Sequence, residues 1–206
     1  MTVVDGPTST AASAAPRKRG RPRREIDLDE VADAVGFLFA EGGYEAVSIG
    51  STAERLNVSR ATLYRTVPTK EHLLGILFER GTAELTDAAQ AILARKGTPK
   101  EDLDAFIGIQ VDAAVRMRRY LGVFFGGAGL PPDVFERWHA WSKNFEALWV
   151  GVVRRAMSDG TLLEGDPVIT ARLLLGMCVW VSRWYRPGDQ YSTDEIAATV
   201  IRLHTR

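Results

Sequence analysis

Cysteine is all but missing. Cys178 is the sole thiol among 206 residues, so no intrachain disulfide can form and no cysteine-based metal site can be assembled. Histidine is scarce too: His72, His139 and His204 are the only three, and they match no zinc spacing and no catalytic triad. Net charge is absent, with 26 basic against 26 acidic residues. The overall basic excess common in nucleic-acid binders is therefore missing. Long apolar runs are missing as well. The longest, residues 173–181, is far short of the roughly 20 residues that cross a membrane. The first 15 residues have neither a basic start nor an apolar core, which excludes a secretory signal there. With a single cysteine, this predicts a cytoplasmic protein.

Hydrophobic content is 46% and charged content 25%, ordinary for a soluble globular chain. The cations are unevenly placed. Residues 17–24, Arg-Lys-Arg-Gly-Arg-Pro-Arg-Arg, carry six cations and no acid. Screening confines a charged patch to about 10 Å, so local density matters more than the sum. The preceding residues 1–16 are rich in Ala, Ser, Thr, Pro and Gly, the composition of a disordered tail.

A second basic stretch coincides with a folding pattern. Residues 48–70 read as two short helices about a tight turn. Ser48 caps the first, which runs to about Leu56; Asn57 tolerates the left-handed corner; Ser59 caps the second. The second ends before Pro68, whose ring pushes the preceding residue out of the helical region. Ile49, Ala53, Leu56, Val58 and Leu63 form an apolar corner, leaving Arg60, Thr62, Tyr64, Arg65, Thr66 and Lys70 outside. From Arg55 to Lys70 there are four cations and no acid. Such a helix fits the major groove of DNA. Arg60 and Thr62 are placed for base edges; Tyr64, Thr66 and Lys70 suit phosphates. A helical hairpin with a merely solvated basic face meets the same pattern.

Residues 58–74, Val-Ser-Arg-Ala-Thr-Leu-Tyr-Arg-Thr-Val-Pro-Thr-Lys-Glu-His-Leu-Leu, resemble the recognition helix and following helix start of TetR-family transcriptional repressors. The likeness extends from about Leu28 to Phe78 and is most specific at Ala53, Val58, Ser59, Thr62, Leu63, Tyr64, Lys70, Glu71 and Leu74. Asn57 replaces a common glycine; Thr66 and Val67 replace common aromatics, which leaves base preference open. The resemblance implies a homodimer on double-stranded operator DNA, with Ser48, Ser59, Arg60, Thr62, Tyr64, Arg65, Thr66 and Lys70 at the interface. The Arg-Gly-Arg-Pro core of the arm resembles an AT-hook, in which Arg19 and Arg21 follow a narrow A·T minor groove; an unspecific phosphate-binding arm needs only the charge.

The expected fold is all-α: a disordered basic arm (1–24), a three-helix helix-turn-helix domain (25–70), and a helical ligand-binding and dimerisation domain (71–206). The first helix, capped by Asp27 or Asp29, runs to about Glu41 and is ended by Gly42-Gly43. A fourth helix starts after Thr69 and a separate one spans Thr82–Arg95. Lys100 to about Tyr120 is a helix whose apolar stripe is interrupted by Gln110. Leu121–Pro132 reads as an apolar loop, either a flap over a cavity or a packed connector; it lacks the glycine-lysine pattern of a phosphate loop. Pro132–Ser158 is an aromatic-rich helix. Val168–Trp184 is apolar on almost every side, so that one face meets another subunit. A last helix runs from Thr193 to about Leu203. Phe106, Gln110, Met117, Phe124, Trp138, Trp141, Phe145, Trp180 and Trp184 are the candidate lining of a ligand cavity, with Ser142, His139 and Asn144 as nearby polar groups.

The C-terminal part, including Gly160-x-Leu162, Asp166-Pro167, Ala171-x-Leu173-Leu174-Leu175-Gly176 and Trp184-Tyr185-Arg186-Pro187-Gly188, also resembles the end of TetR-family chains. In those, the last two long helices form a four-helix dimer interface. The body is similar to repressors of the QsdR type, which implies a small apolar effector, a lactone or a fatty acyl compound, that releases the operator. No metal and no cofactor are expected. Two other classes stay open. Glu136-x-x-His139 resembles half of a di-iron carboxylate site, but such a site needs a second motif of this kind as well as two further glutamates, and neither His72 nor His204 has a glutamate three positions before it, so no enzyme is expected. An architectural DNA binder would rely on the arm alone.

Overall fold

The computed structural model describes residues 26–125 and 131–204, without the side chains of residues 119, 120, 122–125 and 204. Arg19 and Arg21 lie outside the described residues. Among those described there are eight helices and no strand: α1 Leu28–Ala46, α2 Ile49–Arg55, α3 Arg60–Thr66, α4 Lys70–Ala94, α5 Pro99–Phe125, α6 Pro132–Ser158, α7 Pro167–Trp184 and α8 Thr193–His204.

The helix starts follow side-chain capping. Asp27 accepts from the Asp29 N–H at 2.9 Å, and Ser48 and Ser51 form a reciprocal capping box. Ser59 accepts from Thr62 N–H, and Thr69 from His72 N–H. Each satisfies an N–H that a helix start leaves free. Asn57 sits at φ 53, the left-handed corner expected of it. Gly43, at φ 68 and ψ −158, breaks α1 as expected, although the chain then makes one more turn to Ala46.

Two boundaries differ from expectation. The separate helices expected on either side of residues 79–81 are one helix, α4. Gly81 alone weakens a helix by about 1 kcal/mol relative to alanine. Its neighbours hold the turn: Thr82 donates to the Glu79 carbonyl, and Arg80 bridges Asp33 at 2.6 Å and Glu84 at 3.2 Å. The expected loop from Leu121 is helical as far as Phe125. Leu121 continues the buried stripe of Ala114 and Met117, so burial extends α5. The part of the expected flap at 126–130 lies outside the described residues.

Two apolar clusters result. The first joins Val31, Val35, Phe39, Val47, Ala53 and Leu63 of α1–α3 to Leu73, Leu74 and Phe78 of α4 and to Met117 and Leu121 of α5. The second holds Leu103, Phe106, Ile107 and Val111 of α5 against Trp149, Val152 and Val153 of α6, Leu174 and Cys178 of α7, and Val200 of α8. Helix α4 adds Leu85, Ala89 and Ile92 to the second cluster, so α4 and α5 belong to both. They connect the small N-terminal head to the body.

Candidate functional site

The head presents one face. Leu63, fully buried, is the only buried residue of α3; its burial contributes about 1.5–3 kcal/mol and fixes the rotation of the helix. Arg60, Arg65 and Thr66 are exposed, Tyr64 is 59% exposed, and Thr62 is half-buried. Arg60, Thr62, Tyr64 and Arg65 surround a shallow hollow with Ile49 and Ala61, and Thr66 lies outside it. The Thr62 hydroxyl is engaged with Ser59 Oγ at 2.7 Å, so its methyl is the part free for an outside contact. The Arg60 guanidinium lies across Gly50, where a Cβ would come within 3.0 Å of it. Lys70 Nζ stands 3.6 Å over the Tyr44 ring, and the Arg55 guanidinium 3.2 Å over Phe37, contacts that hold a cation at the surface without neutralising it. Ser48 is exposed at the start of α2.

The body contains a cavity of about 270 Å³ between α4, α5, α6 and α7. Phe78, Thr82 and Leu85 face it from α4; Gln110, Ala113, Ala114, Met117 and Leu121 from α5; Trp138, Trp141, Ser142, Phe145 and Glu146 from α6; Leu175, Gly176 and Val179 from α7. Trp141 is locked in place: its Nε1 donates to Thr86 Oγ1 at 2.8 Å, its ring stacks on Phe145, and Phe78 meets it edge-on. Of the nine lining residues expected from sequence, the structure places Gln110, Met117, Trp138, Trp141 and Phe145 around this cavity. It does not place Phe106, Trp180 or Trp184 there. Phe106 points into the second cluster, edge-on to Trp149. Trp180 and Trp184 lie on the outer face of α7, 65% and 44% exposed. The Phe124 side chain lies outside the described residues. His139 and Asn144 are exposed and do not face the cavity.

Phe78, Met117 and Leu121 belong at once to the head cluster and to the cavity wall. Helix α4 is also clasped on both sides. Arg80 ties it to α1 through Asp33 and the Asp29 carbonyl. Arg137 of α6 reaches Glu79 at 2.6 Å while bonding Asp133 at 3.0 Å on its own helix. These bonds hold Arg137 and Arg80 above the ordinary guanidinium range, Arg137 chiefly through Glu79 and Arg80 chiefly through Asp33. Where α4 meets α6 there is no spare room: a Cβ on Gly75 would lie 3.0 Å from both γ carbons of Val134.

Comparison with known proteins bears on both halves. The model for bacterial regulatory proteins of the tetR family matches residues 33–75, and that of the tetracyclin repressor-like C-terminal domain matches residues 96–206. The chain belongs to the TetR family. The HTH-type transcriptional repressor KstR of Mycolicibacterium smegmatis is 42% identical over 179 residues, 83% of this chain and 84% of that protein. A TetR/AcrR-family regulator from Thermobifida fusca has the same fold, with a TM-score of 0.75 at 24% identity over 85% of this chain and 94% of its own. AibR, solved in complex with isovaleryl coenzyme A and operator DNA, superimposes with a TM-score of 0.71 at 20% identity, covering 85% of this chain and 96% of its own. These likenesses fit the eight-helix arrangement and the regulator class. The QsdR-type resemblance rests on sequence motifs of the body alone.

Sequence reasoning missed the α4 and α7 walls of the cavity. Phe78, Thr82 and Leu85 follow the i, i+4, i+7 spacing of one helical face, a signal hidden by reading α4 as two helices. The Glu136-x-x-His139 motif lies on exposed positions of α6. Among the described residues, no group of three or more His, Cys, Asp or Glu side chains is arranged to hold a metal ion, and no helix is long and apolar enough to cross a membrane.

Proposed function

We propose that the protein is a ligand-responsive, DNA-binding transcriptional repressor, cytoplasmic and without catalytic activity, whose head is residues 25–70 and whose ligand-binding and dimerisation body is residues 71–206. The observation that carries the reading is the sharing of Phe78, Met117 and Leu121 between the head core and the cavity wall. A ligand in the cavity cannot shift these side chains without acting on the packing that positions α3.

In this reading two heads of a homodimer occupy successive major grooves, roughly 34–36 Å apart. Arg60 and Thr62 read base edges, and Tyr64, Arg65, Thr66, Lys70, Ser48 and Ser59 meet phosphates. Arg19 and Arg21 of the basic arm add contacts in the adjacent minor groove. Dimerisation uses α7 and α8: Ile169, Leu173, Trp180 and Trp184 form an exposed apolar strip on α7, the kind of surface that marks a protein–protein contact. The effector is a small, mainly apolar molecule, a lactone or a fatty acyl compound. That AibR was solved with isovaleryl coenzyme A favours the acyl arm; the body's QsdR-type motifs favour the lactone. The effector acts through its differential affinity for two head spacings.

The test is selection of bound DNA from a random pool by the purified protein, with Arg60→Ala, Thr62→Ala, Tyr64→Phe and Lys70→Ala alongside. An enriched palindromic site whose base preference moves with the first two variants, and whose affinity falls evenly with the last two, supports the reading. An unchanged base preference in the first two removes α3 as the reading element. Loss of all site preference on deleting residues 1–24 would favour an architectural DNA binder instead.

A further inference from the structure

We infer that the buried end of the effector is uncharged and carries one hydrogen-bonding group, a carbonyl or a hydroxyl, which Gln110 holds. This rests on the reading of the cavity as the effector site.

Gln110 faces the cavity from α5 and is 6% exposed. Its Oε1 is buried and makes no hydrogen bond among the described residues. Buried polar groups in folded proteins are nearly always paired, and an exception points to an outside partner. The neighbouring polar groups are already engaged. Thr82 Oγ1 donates to the Glu79 carbonyl at 2.8 Å, Trp141 Nε1 donates to Thr86 Oγ1, and both carboxylate oxygens of Glu146 accept from Arg172, at 2.9 and 3.1 Å. Among the described residues the half-buried Ser142 hydroxyl adds to what Gln110 offers.

Charge narrows the chemistry further. Among the described residues no lysine, arginine or histidine lines the cavity, and the Glu146 carboxylate on its wall is paired with Arg172. A carboxylate-ended fatty acid would have to bury its charge without a cation free to pair with it, since Arg172 is held by Glu146, which a protein interior strongly disfavours. A carboxamide carries both donor and acceptor on one planar head, and a half-turn exchanges them, so it can meet a carbonyl or a hydroxyl. Size sets the rest. At roughly 30 Å³ per atom, the volume per molecule of liquid water, about 270 Å³ holds on the order of nine heavy atoms. The buried part therefore matches a medium-length chain. A lactone and an acyl thioester share this chemistry, an uncharged carbonyl on such a chain.

The experiment titrates the full-length protein with nonan-2-one, nonan-2-ol, nonane and nonanoate, reading the fluorescence of Trp138 and Trp141 in the cavity wall. The wild type is compared with Gln110→Leu, and with Gln110→Met should the leucine variant fail to fold by thermal denaturation. The expected result is that the preference for nonan-2-one over nonane falls by roughly 10-fold or more in the variant, with nonane itself unaffected or tighter, and that nonanoate is the weakest probe of the wild type. γ-Nonalactone and octanoyl-coenzyme A form the second arm; the one whose binding depends on Gln110 identifies the source of the carbonyl. If the probes bind and the substitution leaves the ketone-to-alkane preference unchanged, the role of Gln110 is overturned while the cavity stands. If no probe changes the fluorescence of the wild type, the cavity reading falls and the inference with it.

Discussion

The contact between Gly75 and Val134 offers a quantitative test of how the body is joined to the head. Helix α4 can lie this close to α6 because Gly75 has no Cβ; adding one places it 3.0 Å from both γ carbons of Val134. Both methyl groups crowd the same point, and Val134 is 1% exposed, so rotation of a β-branched side chain relieves little. Overpacking of this kind costs about 1–3 kcal/mol, offset by roughly 1 kcal/mol from replacing a helical glycine by alanine. Gly75→Ala should therefore destabilise by about 0–2 kcal/mol. Val134→Ala removes two buried methyl groups and should cost about 2 kcal/mol. In the double variant the smaller residue 134 leaves room for the new methyl. Its destabilisation should fall short of the sum by about 1–2 kcal/mol, the coupling expected of residues in contact. Urea unfolding of the four proteins gives the cycle. Additivity within about 0.5 kcal/mol would refute the close approach. On the proposed function, Gly75→Ala should also shift the effector concentration that releases DNA.

Further predictions follow from single features. Gly50→Ala places a methyl against the Arg60 guanidinium; the flexible arginine moves, so stability should change little while operator affinity falls, measurable by fluorescence anisotropy. Ser59→Ala removes the cap of α3 and its bond to Thr62; a loss of about 1 kcal/mol in unfolding free energy is expected, and no loss would contradict the capping role. Burial pushes the Cys178 thiol up to about 12, so the folded protein should resist alkylation at pH 8 and react only on unfolding; fast native labelling would place Cys178 outside the core. Glu71, Glu101 and Glu195 sit below the ordinary carboxylate range, each chiefly because it accepts a backbone N–H at a helix start. Their stabilisation is complete above the unfolded-state value near 4.3 and is lost as pH falls through the lowered folded values. Replacing all three by glutamine should flatten the acid limb of the stability profile, and an unchanged limb would remove them as its cause.

Local chemistry made much of the fold legible. The caps at Asp27, Ser48, Ser59 and Thr69, the left-handed Asn57 and the break at Gly43 all depend on neighbours within a few residues, and each appears where the sequence places it. The misread boundaries depend on distant partners. Continuity across Gly81 relies in part on Asp33, 47 residues before Arg80, and α5 passes Tyr120 because Leu121 finds the head core. The same limit applied to the cavity. An aromatic stripe locates α6, but which of two apolar faces encloses a void depends on how four helices meet. Phe106 and Trp180 have the composition of a pocket wall, yet one fills the core and the other faces outward. Gln110 was legible as a polar interruption of an apolar stripe; only the structure shows that its Oε1 has no partner among the described residues.

The most direct measurement is fluorescence anisotropy of the full-length protein on DNA from upstream of its own gene, at low and raised salt, with and without γ-nonalactone and octanoyl-coenzyme A. The account predicts salt-dependent binding that persists against competitor DNA, weakens evenly with Tyr64→Phe and Lys70→Ala, and is released by one of the two ligands. Binding that is equally strong on every DNA, or site-specific binding that neither these ligands nor nonan-2-one disturbs, would contradict the claim that the cavity controls the head.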